Sequence, residues 1–115
     1  MSEGGRIINV SSTTARQGNP GTAVYSATKA ALESITRVMG IELRDKGIRV
    51  NAVNPGPVET DMFLDLPNST QDYFKSTQPI ANADDIADVI TFLAGPNSRW
   101  INATTVGTNN GVILN

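Results

Sequence analysis

The pattern that most restricts this chain is an apolar strand, a long amphipathic helix and a second apolar strand, laid end to end. Arg6-Ile7-Ile8-Asn9-Val10 is a short β-branched run between Gly4-Gly5 and the polar Ser11-Ser12-Thr13-Thr14. It reads as a buried strand that runs out into a loop. Gly18 and Asn19-Pro20-Gly21 then turn the chain, and Thr22 is placed to cap the helix that follows. From Val24 to about Arg44, the residues Ala27, Ala31, Leu32, Ile35, Val38, Met39 and Leu43 recur at helical spacing, which predicts a broad buried face. Asp45-Lys46-Gly47 ends the helix, with Gly47 at a left-handed cap. Ile48-Arg49-Val50-Asn51-Ala52-Val53-Asn54 forms the second strand, stopped by Pro55-Gly56-Pro57. Strands joined by a crossover helix of this length pair in parallel with a right-handed connection.

Beyond the unit, Val58 to Pro79 reads as a long irregular segment, with short helical turns at Asp61-Met62-Phe63-Leu64 and Gln71-Asp72-Tyr73-Phe74. Segments of this kind in compact domains are lids or disordered stretches. Ala83 to Ala94 is a second amphipathic helix, with Ile86, Ala87, Val89, Ile90 and Leu93 inward and Gly95-Pro96 after it. Thr104 to Thr108 and Val112-Ile113-Leu114 fit a last strand and tail, interrupted by Asn109-Asn110-Gly111. A chain of 115 residues holds one domain at most.

Composition narrows the chemistry. With no histidine and no cysteine, a zinc site, a Ser-His-Asp triad, a thiolate and a disulfide framework are excluded on inventory, and no metal is expected. A net charge of −2 without a basic cluster argues against nucleic acid or an anionic membrane surface as partner. Met1-Ser2-Glu3-Gly4-Gly5 has neither the basic nor the apolar region of a secretory signal, so the expected compartment is the cytoplasm. What remains is Tyr25-Ser26-Ala27-Thr28-Lys29. Four positions apart on a helix, Tyr25 and Lys29 share a face about 6 Å apart along the axis. A phenol beside an ammonium is a proton-handling pair, because a neighbouring cation favours the phenolate. Alone, Tyr-x-x-x-Lys is as readily a half-exposed aromatic and a solvated lysine on any amphipathic helix. Its context decides.

That context is Gly5-Arg6-Ile7-Ile8-Asn9-Val10-Ser11-Ser12, then Tyr25-x-x-x-Lys29, then Asn54-Pro55-Gly56-Pro57-Val58-x-Thr60-Asp61-Met62. In this order the three motifs resemble the short-chain dehydrogenase/reductases, over essentially the whole chain. The resemblance implies an α/β fold: a partial doubly wound, Rossmann-like parallel sheet of strand, helix, strand, lid, helix and strand. It implies hydride transfer between a nicotinamide cofactor, NAD or NADP, and an alcohol or carbonyl substrate. Carried over by position, Tyr25 gives or takes the substrate proton. Lys29 assists Tyr25 and bonds the nicotinamide ribose, and Ser12 holds the carbonyl oxygen. Ser11 competes with Ser12, whose spacing to Tyr25 is preferred. Pro55 and Gly56 would pack on the nicotinamide ring, Val58 would offer backbone groups to the carboxamide, and Thr60 would contact carboxamide or pyrophosphate. All lie past strand ends, where open α/β sheets bind ligands.

The departures set further expectations. The resemblance covers only the family's C-terminal half, so residues 1–115 are expected to be a single partial domain that carries the catalytic residues and lacks the dinucleotide-binding half. The glycine-rich turn and helix N-terminus that cradle a pyrophosphate are not among these residues. Cofactor binding by this chain alone is therefore expected to be weak. Ile101-Asn102-Ala103-Thr104 and Asn109-Asn110-Gly111 stand where the family usually has Thr-Gly-Gln and Asp-Gly-Gly runs. Phe63, Leu64, Leu66, Tyr73 and Phe74 either line a substrate pocket or anchor the loop, with the pocket favoured. Ile35, Val38, Met39 and Leu43 are core or oligomer interface, since the family's equivalent helix packs against its twin. An unpaired first strand predicts marginal stability, and a homo-oligomer or association with a full-length relative would cover it. The alternative to an enzyme is a non-catalytic remnant that acts by such association.

Overall fold

The computed structural model describes residues 4–114. In chain order these form β1 (Arg6–Val10), α1 (Ala23–Glu42), β2 (Arg49–Pro55), β3 (Val58–Glu59), α2 (Asp61–Leu64), α3 (Asn68–Thr77), β4 (Ala81–Asn82), α4 (Ala83–Ala94) and β5 (Thr105–Thr108). Short 3₁₀ turns lie at Thr13–Ala15, Arg44–Lys46 and Pro96–Ser98. The main sheet has the order β1-β2-β5 and is parallel throughout, with Arg6 opposite Arg49, Val10 opposite Val53 and Pro55 opposite Thr108. β3 and β4 pair separately, also in parallel. This is the α/β architecture that the strand–helix–strand pattern predicts.

Side chains alternate across a strand, and β1 shows which helix covers which face. Ile8 packs into the cluster of Val53, Ile86 and Leu93 beneath α4. Its neighbour Asn9 donates from Nδ2 to Thr36 Oγ1 of α1 at 3.0 Å. The two helices therefore lie on opposite faces of the sheet. β2 runs between them and is the best-buried element, with Val50, Ala52 and Val53 fully enclosed. Arg49, at its start, fastens the far end of α4. Its guanidinium donates to the carbonyls of Leu93, Gly95, Ser98 and Ile101 and to Ser98 Oγ. The near end of α4 is closed by a capping box between Asn82 and Asp85.

Several local features differ from the sequence reading. Thr22 stands at the N-cap of α1 without making the capping bond; its hydroxyl donates instead to the Asn19 carbonyl at 2.7 Å. β2 runs one residue later than expected and takes in Pro55, which the sheet tolerates at a strand end, where the missing N–H interrupts nothing. The region 58–79 is largely ordered into β3, α2 and α3. The turns expected at 61–64 and 71–74 are both helical, but α3 extends the second to Asn68–Thr77, where Tyr73 and Phe74 are the only large apolar residues, too few for a helical period. Tertiary contacts hold it instead. Gln71 Nε2 donates to the carbonyls of Leu64 and Leu66, both at 2.9 Å, and the Phe63 and Phe74 rings lie 6.3 Å apart. Val112 to Leu114 adds no strand after β5.

The largest difference is in α1. Its buried residues are Glu33, Thr36 and Gly40, whereas Ile35 is 49% exposed and Val38 55% exposed. Hydrophobic spacing identified the helix but only part of its inner face: Leu32, Met39 and Leu43 are half-buried, whereas Ala27, Ala31, Ile35 and Val38 are exposed. Gly40 explains the inner face: a Cβ there would lie 2.6 Å from Ala103 Cβ, so the helix presses directly on the chain before β5.

Candidate active site

Because the main strands are parallel, their C-terminal ends share one edge of the sheet, and the candidate residues gather on it. Ser11 and Ser12 follow β1, Gly56 follows β2, and Asn109 follows β5. Ser11 prolongs the sheet by one bond, from its N–H to the Val53 carbonyl at 2.8 Å. Ser12 leaves the sheet and caps the 3₁₀ turn at Thr13–Ala15. Its Oγ accepts from the Thr14 N–H at 3.2 Å and the Thr14 hydroxyl at 2.9 Å, which leaves its own proton available to a further acceptor.

α1 meets this turn with its first two turns. Lys29 Nζ donates to the Val10 carbonyl at 2.9 Å and lies 5.6 Å from the centroid of the Tyr25 ring. That is within reach of a cation–π contact. Tyr25 is 51% exposed. Ser26, next to it, donates from its hydroxyl to the Thr14 carbonyl. Val10 and Thr14 flank Ser12 on either side, so the helix that carries Tyr25 and Lys29 grips the Ser12 turn both before and after it.

The second strand end closes the other side. A side chain at Gly56 would meet Asn109 Cβ at 3.5 Å and Thr13 Cγ2 at 3.8 Å, which puts the Gly56 backbone beside the residue after Ser12. Next to it opens a cavity of about 350 Å³ lined by Gly56, Pro57, Ile80, Ala81, Thr108 and Asn109, among others. Thr108 Oγ1 is buried there without a hydrogen-bond partner, as is Asn54 Nδ2 nearby in β2. Buried polar atoms of this kind want a partner. The cavity lining mixes apolar residues with Asp85, Thr108, Asn109 and Asn110.

Ser12, Tyr25, Lys29 and Gly56 are thus brought to one edge, with Pro55 just behind as the last residue of β2. Val58 and Thr60 lie further along. Val58 pairs with Ala81 in the small sheet and packs on the core, and Thr60 caps α2 by accepting from the Phe63 N–H at 3.4 Å. The aromatic residues favoured for a pocket do not line this cavity. Phe63 is buried, with its ring near that of Phe74, while Tyr73 is exposed. The ring contacts shown, Phe63 with Phe74 and Tyr73 with Phe74, lie within the segment and tie α2 to α3. Among the described residues, no group of three or more Asp, Glu, His or Cys could hold a metal, and no helix is long and apolar enough to cross a membrane.

Sequence reasoning passed over Glu33, one turn beyond Lys29. It is buried against Ser11 and Arg16. The signal was available in the Tyr25, Lys29, Glu33 spacing of four, but a glutamate at that spacing reads first as a solvated helix face.

Comparison with known proteins shows what this chain is similar to. Residues 1–113 match the family described as enoyl-(acyl carrier protein) reductase. The 3-oxoacyl-[acyl-carrier-protein] reductase of Pseudomonas aeruginosa is 37% identical over 113 residues, covering 96% of this chain and 46% of that protein. A short-chain type dehydrogenase/reductase of Picea abies is 39% identical over 114 residues, covering 96% of this chain and 42% of its own. Among solved structures, an angucycline C-6 ketoreductase with bound NADP superposes with a TM-score of 0.87 at 34% identity, over all of this chain and 46% of that one. The chain spans just under half the length of the relatives it matches.

Proposed function

The chain belongs to the short-chain dehydrogenase/reductase family, and from that premise we propose that it carries the catalytic half of an NAD(P)-dependent oxidoreductase acting on an alcohol or carbonyl substrate. The observation that carries this reading is the Lys29 ammonium, held between the Val10 carbonyl and the Tyr25 ring and beside the Ser12 turn. The Tyr25 hydroxyl gives its proton to a carbonyl oxygen or takes one from an alcohol, as a half-exposed phenol can do. Lys29 keeps its ammonium against the Tyr25 ring, where it orients the phenol. Ser12, whose proton is free, donates to the same substrate oxygen and fixes it next to Tyr25.

The cavity beside Gly56 is where the nicotinamide end of such a cofactor is placed on this reading; its lining mixes Gly56, Pro57, Ile80 and Ala81 with Asp85, Thr108 and Asn109. Pro55, Gly56, Val58 and Thr60 would hold that end, with Lys29 and Tyr25 at the ribose. When bound, the nicotinamide supplies or accepts the hydride. No glycine-rich turn at a helix N-terminus is available among the described residues to hold the pyrophosphate. Calorimetric titration of this chain with NADPH or NADH should therefore give weak binding or none, and micromolar affinity for either would overturn the division into halves. The role of Tyr25 is tested separately: turnover that survives Tyr25→Phe removes it.

A second reading is favoured by the exposed apolar residues of α1 and the open edge of β1. On that reading the chain is non-catalytic and associates with itself or with a full-length relative. Light scattering with and without such a relative separates the two; a stable, inert monomer counts against association.

A further inference from the structure

We propose that Glu33 is a positioning residue that sets where the Ser12 turn stands relative to Tyr25 and Lys29; its importance for catalysis rests on the reading above. The starting point is an inversion in α1. Ile35 and Val38 are half exposed, yet Glu33 is 4% exposed. A carboxylate is expensive to remove from water unless it is paired and hydrogen-bonded, so its burial needs partners. It has them on both oxygens. Oε1 accepts from Arg16 Nε at 3.1 Å and Nη2 at 2.8 Å, and Oε2 accepts from Ser11 Oγ at 2.6 Å.

Where those partners lie in the chain gives the arrangement its meaning. Ser11 immediately precedes Ser12, and Arg16 immediately follows the 3₁₀ turn that Ser12 caps. One carboxylate on the helix of Tyr25 and Lys29 thus holds both ends of the turn that presents the Ser12 hydroxyl. Ser11 Oγ also lies 3.3 Å from the Lys29 carbonyl, and the residue before it, Val10, accepts the Lys29 ammonium. Moving Ser11 would move the acceptor that holds Lys29 and the serine that follows. The clamp also explains which serine remains available. The Ser11 hydroxyl is spent on Glu33, whereas Ser12 keeps its proton.

A carboxylate suits this place because it presents acceptor oxygens to a guanidinium and a hydroxyl together. Glutamine of the same shape has one acceptor oxygen, and its amide would turn donors toward Arg16 or Ser11. The test is NMR on this chain as it stands, reading the Lys29 Cε and Nζ and the Ser12 Cβ chemical shifts in wild type, Glu33→Gln and Ser11→Ala. Both variants should keep the circular dichroism of the folded state while the Lys29 and Ser12 shifts move toward random-coil values. A folded variant whose Lys29 and Ser12 shifts stay at wild-type values would reduce Glu33 to a salt bridge that only stabilises. Ser11→Ala, which removes a single hydroxyl, provides the answer should Glu33→Gln fail to fold. No cofactor or substrate enters the readout, so the clamp can fail while the oxidoreductase reading stands, and the converse.

Discussion

Ala103 carries a positive φ of 59° in the segment before β5, a conformation that favours glycine. It stands in the run where the family's usual sequence has a glycine. Opposite it, Gly40 of α1 is where an added Cβ would lie 2.6 Å from Ala103 Cβ, 2.8 Å from its Cα and 3.0 Å from its N. Gly40→Ala is expected to destabilise the fold by about 1–3 kcal/mol through overpacking. Ala103→Gly should lie within about 1 kcal/mol of wild type, because relief of the left-handed strain is offset by the freedom glycine gains when unfolded. Combining the two should recover only part of the loss, since the Ala103 backbone still blocks the new Cβ. Thermal denaturation of all three variants checks this, and full recovery in the double variant would contradict it. The site was more legible than this contact. The shared face of Tyr25 and Lys29 follows from a spacing of four, whereas the approach of Gly40 to Ala103 joins residues far apart in sequence and leaves no local pattern. Glu33 shares the spacing of four with Tyr25 and Lys29, but its burial depends on Ser11 and Arg16, which reach it from another element.

At the level of elements, the parallel strands and the two helices that cover them could be read directly, because each repeats its apolar residues at its own period. What could not be read was how the elements are fastened. Arg49 is one of nine cations in the sequence, and nothing local marks it as the residue that ties β2 to the end of α4. Burial, and secondarily Arg6, hold its pKa below the usual guanidinium value, but a guanidinium stays charged through the neutral range. No pH dependence of stability is expected from it between pH 5 and 9. Arg49→Ala would strand the carbonyls of Leu93, Gly95, Ser98 and Ile101 and should cost about 2–4 kcal/mol. Arg49→Lys should fall between, since an ammonium has fewer donors and no planar fork. Denaturant unfolding measures both; an Arg49→Ala variant as stable as wild type would mean that water replaces the guanidinium at no loss. The segment 58–79 teaches the opposite lesson. α3 is held by Gln71 and Phe74 contacts rather than by periodicity, so a pattern-based reading found only its middle, the turn at 71–74.

The whole molecule exposes more surface than its mass warrants. Its accessible area is 7147 Å², against about 6,100 Å² expected for a folded monomer of 12.2 kDa. Its radius of gyration is 15.3 Å, against about 13 Å for a compact chain of this length. Part of the excess is apolar: Ile35, Val38 and Ile41 on α1 are each about half exposed, and β1 lies at an open sheet edge. Self-association is the expected response. Light scattering should show species above the monomer mass, and Ile35→Glu with Val38→Glu should shift them toward monomer without unfolding the chain. A wild-type chain that stays monomeric at every concentration would contradict this. The central claim, that Tyr25 handles the substrate proton with Lys29 beside it, is tested most directly by hydride transfer in a chimera. In that protein, residues 4–114 would replace the matching half of the Pseudomonas aeruginosa 3-oxoacyl reductase, and nicotinamide absorbance would be followed with a 3-oxoacyl substrate. The account predicts turnover by the chimera that falls by about 10²–10⁴-fold on Tyr25→Phe, with cofactor binding retained. Turnover left unchanged by Tyr25→Phe, or a folded chimera that binds cofactor and transfers no hydride, would contradict it.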